Sequence, residues 1–242
     1  MIVGLIHPGA MGAAIGDALC EGGHQVLWAS AGRSASTRER ARRFRDAGTV
    51  AAVADESEVL LSVCPPHAAV EVAAMVEGFA GLYVDANAIS PATALEVAAF
   101  HPRFVDGGIV GSPPREPGAA RLYLSGDEAP AVAALFDGSL LGTRIVGDAS
   151  AMKMVYAAWT KGTAALLLAI RDVARATGVW DDLQAEWRES APELPGRLAA
   201  AERSAAEKGW RWIAEMEEIA DTFAAAGAPE GFHRAAAEVY RT

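Results

Sequence analysis

The chain has 242 residues, 52% of them hydrophobic, and a formal net charge of −10, a balance that argues against an electrostatic nucleic-acid footprint. Two cysteines, Cys20 and Cys64, are too few for a disulfide framework or a cysteine zinc site, and no metal-ligand cluster stands out. No run of roughly 18 charge-free apolar residues reads as a membrane span, and no charged leader precedes the first apolar run, so a reduced cytoplasmic setting is expected.

In chain order, Ile2–Ile6 predicts a buried strand that runs into a glycine turn and an alanine-rich helix over roughly Ala10–Glu21. Gly9 and Gly12 lack the Cβ atoms that would hold a pyrophosphate away from the main chain, and the helix aims its unpaired N–H groups at the same place. The backbone of Gly9, Ala10, Met11 and Gly12 is therefore the candidate phosphate cradle, with an ordinary strand-turn-helix as the alternative. The usual G-x-G-x-x-G stands here as His7-Pro8-Gly9-Ala10-Met11-Gly12, with His7 at the place of the first glycine. Either Pro8 presets the turn that glycine usually permits, or a cofactor sits differently over this loop.

The second strand, Gln25–Ala29, is followed by Ser30-Ala31-Gly32-Arg33-Ser34, and no carboxylate appears before Glu39. An NAD site places an acid there to hold the adenosine ribose, whereas a guanidinium pairs with a 2′-phosphate. NADP is thus favoured over NAD, with Ser30, Arg33 and Ser34 as contacts; the local alternative makes Ser34 a helix cap and Arg33 a solvated residue. The arginines at 38, 40, 42, 43 and 45 fit the solvated face of one helix.

Val59–Cys64, Gly81–Asp85 and Arg103–Ile109 continue the alternation, and Arg121–Ser125 and Thr143–Val146 extend it. That order implies an α/β fold, a Rossmann-type doubly wound and mostly parallel sheet over residues 1–147. Gly111 to Gly118, rich in proline, is a loop expected to border the cleft. From Gly147 the pattern becomes helical: one long helix over Ala149–Thr177 closed by Gly178, then Asp181–Ser190, Leu194–Lys208, Gly209–Ala226 and Pro229–Tyr240. Ala164–Ile170 is apolar on every side and so is expected to be buried on every side. This smaller all-α domain, residues 148–242, is expected to complete its core against a second copy, giving a homodimer through the C-terminal helices.

Five segments in order, VGLIHPGAMG, VLLSVCPP (Val59–Pro66), VDANAISP (Val84–Pro91), FVDGGIVGSPP (Phe104–Pro114) and GDASAMKMVYAAWTKG (Gly147–Gly162), resemble the 6-phosphogluconate dehydrogenase-like superfamily. That superfamily includes the β-hydroxyacid dehydrogenases, among them 3-hydroxyisobutyrate dehydrogenase. The C-terminal part is similar to a poorly characterised branch, and a more distant similarity links the fold to imine reductases.

The resemblance implies an NADP-dependent oxidoreductase acting on a small hydroxy acid or related carbonyl compound. Lys153 matches the acid and base lysine of the dehydrogenases. Cys64, Pro65 and Asn87 match turns that line the nicotinamide and its ribose. Ser90, Gly107, Gly108 and Gly111 match substrate-side positions, the glycines as a loop whose bare N–H groups grip a carboxylate. One departure stands out: position 157, where the dehydrogenases carry asparagine one turn after the lysine, is alanine. Tyr156, three residues from Lys153, offers a hydroxyl instead and is a substrate-contact candidate, with a core tyrosine as the alternative. Lys161 is expected either to contact a long substrate or to pair with a carboxylate, and a tail histidine such as His233 is expected at the surface. An imine reductase, or a non-catalytic dinucleotide-binding module or redox sensor, stays open beside the hydroxyacid reading.

Overall fold

A computed structural model describes residues 1–241. It divides into two units, Met1–Lys153 and the remainder from Met154 onward.

The first unit is built on an eight-stranded sheet of order β3-β2-β1-β4-β5-β6-β7-β8. The strands are β1 (Ile2–Ile6), β2 (Gln25–Trp28), β3 (Arg45–Asp46), β4 (Val59–Ser62), β5 (Leu82–Asp85), β6 (Phe104–Gly111), β7 (Ala120–Ser125) and β8 (Gly142–Ile145). Neighbouring pairs are parallel except β6 with β7. The first six strands carry the doubly wound order, whose direction reverses between β1 and β4 and leaves a crevice beyond their carboxyl ends. Strand β4 is buried at every residue and β1 at all but the first. Helices cover both faces, which is what continuous apolar strands require.

Helix α1 (Ala10–Glu21) turns Ile15 and Leu19 onto one face, where they join Leu5, Val26 and Leu61. On the other face α3 (Val50–Glu56), α4 (Ala69–Ala74) and α5 (Pro91–Ala98) bury Val53, Val72 and Val97 against Leu60 and Tyr83. The short helices α2 (Ala35–Arg40) and α6 (Ala129–Ala134) complete this unit up to the head of α7 (Ala149–Ala176).

Two expectations about this unit are corrected. The arginine cluster does not share one helix: α2 ends at Arg40, and Arg45 lies on β3. Arg43 reaches back to Asp17 at 3.1 Å, Arg42 pairs with Glu39 at 2.9 Å, and Arg45 pairs with Glu56. Gly107, Gly108 and Gly111 are not in a loop: antiparallel pairing with β7 carries β6 on to Gly111, opposite Ala120.

The second unit comprises the rest of α7, α8 (Trp180–Ser190), α9 (Leu194–Ala225) and α10 (Gly231–Val239). Residues expected to form two helices form the single α9, which passes through Gly209; an interior glycine weakens a helix by only ~1 kcal/mol relative to alanine. Met216, Ile219 and Ala220 of α9 are buried, as are Ala236 and Ala237 of α10. His233, expected at the surface, is buried with its ring 4.2 Å from that of Phe223. Ala164–Ile170 is not buried all round, since Leu166 is 46% exposed, and Trp159 and Val173 on the same helix are more so. Among the described residues no helix is long and apolar enough to cross a membrane.

Candidate active site

The turn after β1 answers the question posed by His7. His7 has φ +67°, and among the described residues no other non-glycine side chain has a positive φ. It takes the left-handed conformation that the first glycine of the motif would take, at a cost of roughly 1–2 kcal/mol. Pro8 follows, and the Gly9 N–H closes a tight turn on the His7 carbonyl at 2.7 Å. A Cβ on Gly12 would stand 2.8 Å from that carbonyl, so Gly12 is required by the approach of α1 to the turn. Gly9 differs. Its φ of −66° suits any residue, and a Cβ there would meet nothing within 4 Å. A glycine here leaves the backbone at the N-terminus of α1 open. Gly9 also supplies no capping side chain to α1, and the first turn carries no acid. The amides of Ala10, Met11 and Gly12 therefore suit an anion such as a pyrophosphate.

At the end of β2, Ser30 is buried, Arg33 is half-buried and Ser34 is exposed. Ser34 caps α2, its hydroxyl accepting the Thr37 N–H at 3.3 Å. The second strand is acid-free in sequence, yet β3 brings Asp46 to its end: the Asp46 carboxylate accepts the N–H groups of Ser30 at 3.2 Å and Gly48 at 2.8 Å. Hydrogen bonds from the Ser30 hydroxyl, then the Gly48 N–H, hold its pKa below the usual carboxylate value. Arg38 donates to the Ser30 carbonyl at 2.8 Å and Arg40 to the Pro8 carbonyl at 3.3 Å, so two cations of the cluster tie α2 to the rims of both loops. Nothing in the residue pattern marked Asp46, because β3 is two charged residues long.

At the ends of β4 and β5, Asn87 is buried, and its side chain is committed to the protein. Its Oδ1 accepts the Cys64 N–H at 2.5 Å, and its Nδ2 donates to Ser62 Oγ at 3.1 Å and Asp85 Oδ2 at 2.7 Å. Asn87 thus fixes the Cys64-Pro65 turn beside the switch point. Burial, with the Asp85 charge second, pushes the Cys64 thiol up to about 12, which keeps it protonated. Ser90 is buried and caps α5, accepting the Thr93 N–H at 3.2 Å.

The head of α7 is clamped to the sheet. Asp106 Oδ2 accepts the Ser150 N–H at 2.8 Å and Oδ1 the Ser150 hydroxyl at 2.6 Å. The Ser125 hydroxyl donates to Asp106 at 3.1 Å and accepts the Ala149 N–H at 2.9 Å. A carboxylate at the positive end of a helix is favoured by the dipole as well as by these bonds. The clamp sets α7 directly on β6: a Cβ on Gly108 would lie 2.7 Å from Lys153 Cβ and 2.8 Å from the Ala149 carbonyl. A Cβ on Gly107 would lie 2.7 Å from the Asp85 carbonyl. These glycines let a strand and a helix approach, and the stem of Lys153 lies across the carboxyl half of β6. Asp106 and Ser150 lie in the quoted motifs, but only tertiary pairing reveals their joint role.

Tyr156, one turn farther along α7, is 42% exposed, and Ala157 is fully buried. Lys161 takes the structural option, pairing with buried Glu215 at 2.9 Å while Tyr240 donates to its carbonyl at 2.6 Å.

Sheet order, a glycine loop at the switch point and a lysine fixed at the head of a long following helix define a Rossmann-type α/β protein carrying a helical C-terminal unit. Residues 1–95 match the family described as a Rossmann-like domain, and residues 174–242 match a domain of unknown function, DUF1932. An uncharacterized 28.5 kDa protein of Methanothermus fervidus is 31% identical over 134 residues, a match spanning only about half of each chain, 52%. A conserved protein of unknown function, described as structurally similar to 3-hydroxyacid dehydrogenases, is 27% identical with a TM-score of 0.71, covering 100% of this chain and 97% of that one. The 3-hydroxyisobutyrate dehydrogenase of Salmonella typhimurium shares the fold at 15% identity, TM-score 0.74, over 100% and 93% of the two chains. A reductive aminase of Aspergillus terreus, solved with NADPH4, cyclohexanone and allyl amine, does so at 18%, TM-score 0.60, over 96% and 89%. The chain thus shares its fold with 3-hydroxyisobutyrate dehydrogenases and a reductive aminase.

Proposed function

We propose that the protein is an NADP-dependent oxidoreductase that exchanges hydride with a small hydroxy acid or related carbonyl compound. The observation that carries this reading is the seating of Lys153: the Asp106–Ser150 clamp and the bare Gly108 hold it at the edge of the sheet where the Gly9 loop and the Cys64 turn also lie. Gly9, Ala10, Met11 and Gly12 would hold the pyrophosphate, and Ser30 and Arg33 the adenosine end, with Arg33 pairing a 2′-phosphate. The bound cofactor supplies the hydride. Lys153 as an ammonium gives its proton to the carbonyl oxygen, or as an amine takes the hydroxyl proton in the reverse direction. Lys153→Ala should lower turnover roughly 10²–10⁴-fold, the usual range for a lost acid–base group, with NADPH affinity unchanged. Undiminished turnover removes the catalytic assignment.

A second reading, reduction of a C=N bond, is favoured by Ala157, which leaves no amide one turn beyond Lys153 to share a substrate hydroxyl. Parallel assays of cyclic imines and β-hydroxy acids separate the two. The C-terminal unit is further proposed to pair with a second copy in the cytoplasm. Supporting this are exposed Trp159, Leu166 and Val173, and a groove of about 580 Å³ lined by Trp159, Leu166, Leu194 and Trp212. Analytical ultracentrifugation should give twice the chain mass of 25.2 kDa; a monomer at micromolar concentration refutes the pairing.

A further inference from the structure

Among the buried polar atoms of the first unit that lack a hydrogen-bond partner are His7 Nδ1 and Arg33 Nε. Both residues line one small cavity, otherwise walled by Leu5, Ile6, Ala29, Val50 and Val53. An unsatisfied buried donor or acceptor is destabilising, and two in one cavity call for a common explanation. Their chemistry is complementary. A guanidinium Nε–H can only donate, and a neutral imidazole with its proton on Nε2 offers Nδ1 as an acceptor. His7 is held neutral, its pKa pushed down to about 4 by burial and then by the Arg33 charge. The backbone adds a second reason to look for a role here. His7 stands at φ +67°, where glycine would sit without strain, so the imidazole needs a justification that the turn itself does not supply.

We infer that His7 is a positioning residue for Arg33: its Nδ1 and the Arg33 Nε–H are joined through one water in the cavity they share, which aims the two terminal nitrogens of the guanidinium at the 2′-phosphate of NADP. The inference rests on the NADP reading above and adds to it a residue that the glycine motif does not contain. Nε and the two terminal nitrogens point along different edges of the planar group, so the water bridge to His7 and a bidentate bond to phosphate are compatible. A guanidinium left free at Nε would swing about its stem and bind the phosphate less tightly.

Dissociation constants for NADPH and NADH, measured calorimetrically on the full chain, test this. His7→Gly should weaken NADPH binding roughly ten- to hundredfold, the range expected for one charge-assisted hydrogen bond, and leave NADH binding within about twofold. His7→Asn, which tolerates the left-handed backbone and retains an acceptor, should recover most of the loss. The glycine variant should resist urea at least as well as the parent, which separates lost binding from lost folding. An NADPH-to-NADH ratio that His7→Gly leaves unchanged overturns the inference. Nitrogen-15 spectra of the cofactor-free protein give a second readout: at pH 7 the His7 proton should sit on Nε2, and Arg33→Met should raise the His7 pKa. A proton on Nδ1, or a titration indifferent to Arg33, refutes the pair even if NADP is bound. A wild-type ratio near one instead refutes the NADP reading, so the two failures are distinguishable.

Discussion

Replacing Asp106 with alanine tests the account of how Lys153 is placed. The carboxylate accepts three hydrogen bonds, from the Ser150 N–H, the Ser150 hydroxyl and the Ser125 hydroxyl, and it lies at the positive end of the 28-residue helix α7. Ser150 is fully buried, so its amide and hydroxyl would lose their partner where water cannot replace it. A lost cap costs about 1–2 kcal/mol and a stranded buried donor about 1–3, which overlap rather than add, giving about 3 kcal/mol for Asp106→Ala. With a urea slope of about 2 kcal/mol/M, the unfolding midpoint should fall by about 1.5 M. Ser150→Ala removes only the hydroxyl bond and should cost about 1 kcal/mol. In the double variant the second change should add almost nothing, because the hydroxyl has no carboxylate left to bind. Turnover should drop with the clamp, since Lys153 lies one turn beyond Ser150, while NADPH affinity holds. A midpoint shift under about 0.5 M for Asp106→Ala, or strict additivity with Ser150→Ala, would refute the clamp.

Gly108→Ala places a methyl 2.7 Å from Lys153 Cβ and 2.8 Å from the Ala149 carbonyl. The overpacking should cost about 1–3 kcal/mol and lower kcat without changing NADPH affinity; a parental urea midpoint and rate would show that α7 does not rest on β6. Stability should also fall with acid. Burial lowers the pKa of both His7 and His101 from 6.5 to about 4, with Arg33 a second cause at His7, so the unfolded chain takes up protons that the folded one refuses. The stabilisation is complete above about pH 6.5 and is lost as the pH falls toward about 4, up to roughly 3 kcal/mol per imidazole before solvent screening reduces it. Urea midpoints between pH 7.5 and 4.5 measure the slope, and His101→Phe, which keeps a ring against Tyr83, should flatten it. An equal slope in that variant would refute the contribution of His101.

Much of the first unit was legible because its strands carry their own signal. Ile2–Ile6, Val59–Ser62 and Leu82–Asp85 are apolar at nearly every position, as strands covered on both faces must be, and glycine or helix-capping residues punctuate them. Strand β3 escaped because Arg45 and Asp46 are exposed and charged, and only pairing with Leu27 and Trp28 makes them a strand. Its omission had a chemical consequence: Asp46 reaches the end of β2 across the ladder, a place where reading along the chain finds no acid. The continuation of β6 through Gly111 escaped for a related reason. Glycines in series read as a loop, and the partner that makes them a strand begins only at Ala120.

The same limit explains why glycine spacing was an incomplete guide to the site. Gly9, Gly12, Gly107 and Gly108 are equivalent in sequence, each a residue without a side chain near a presumed ligand. Their surroundings separate them. Gly12 yields to the His7 carbonyl, Gly107 to the Asp85 carbonyl and Gly108 to Lys153, whereas only Gly9 of the four opens onto space. Three of these glycines therefore act by letting protein atoms come together, and one leaves its backbone open. The first glycine of the motif served neither end here. Its task was a left-handed backbone, which His7 assumes at a modest cost in strain, and that exchange puts an imidazole beside Arg33 where the motif would leave only a hydrogen.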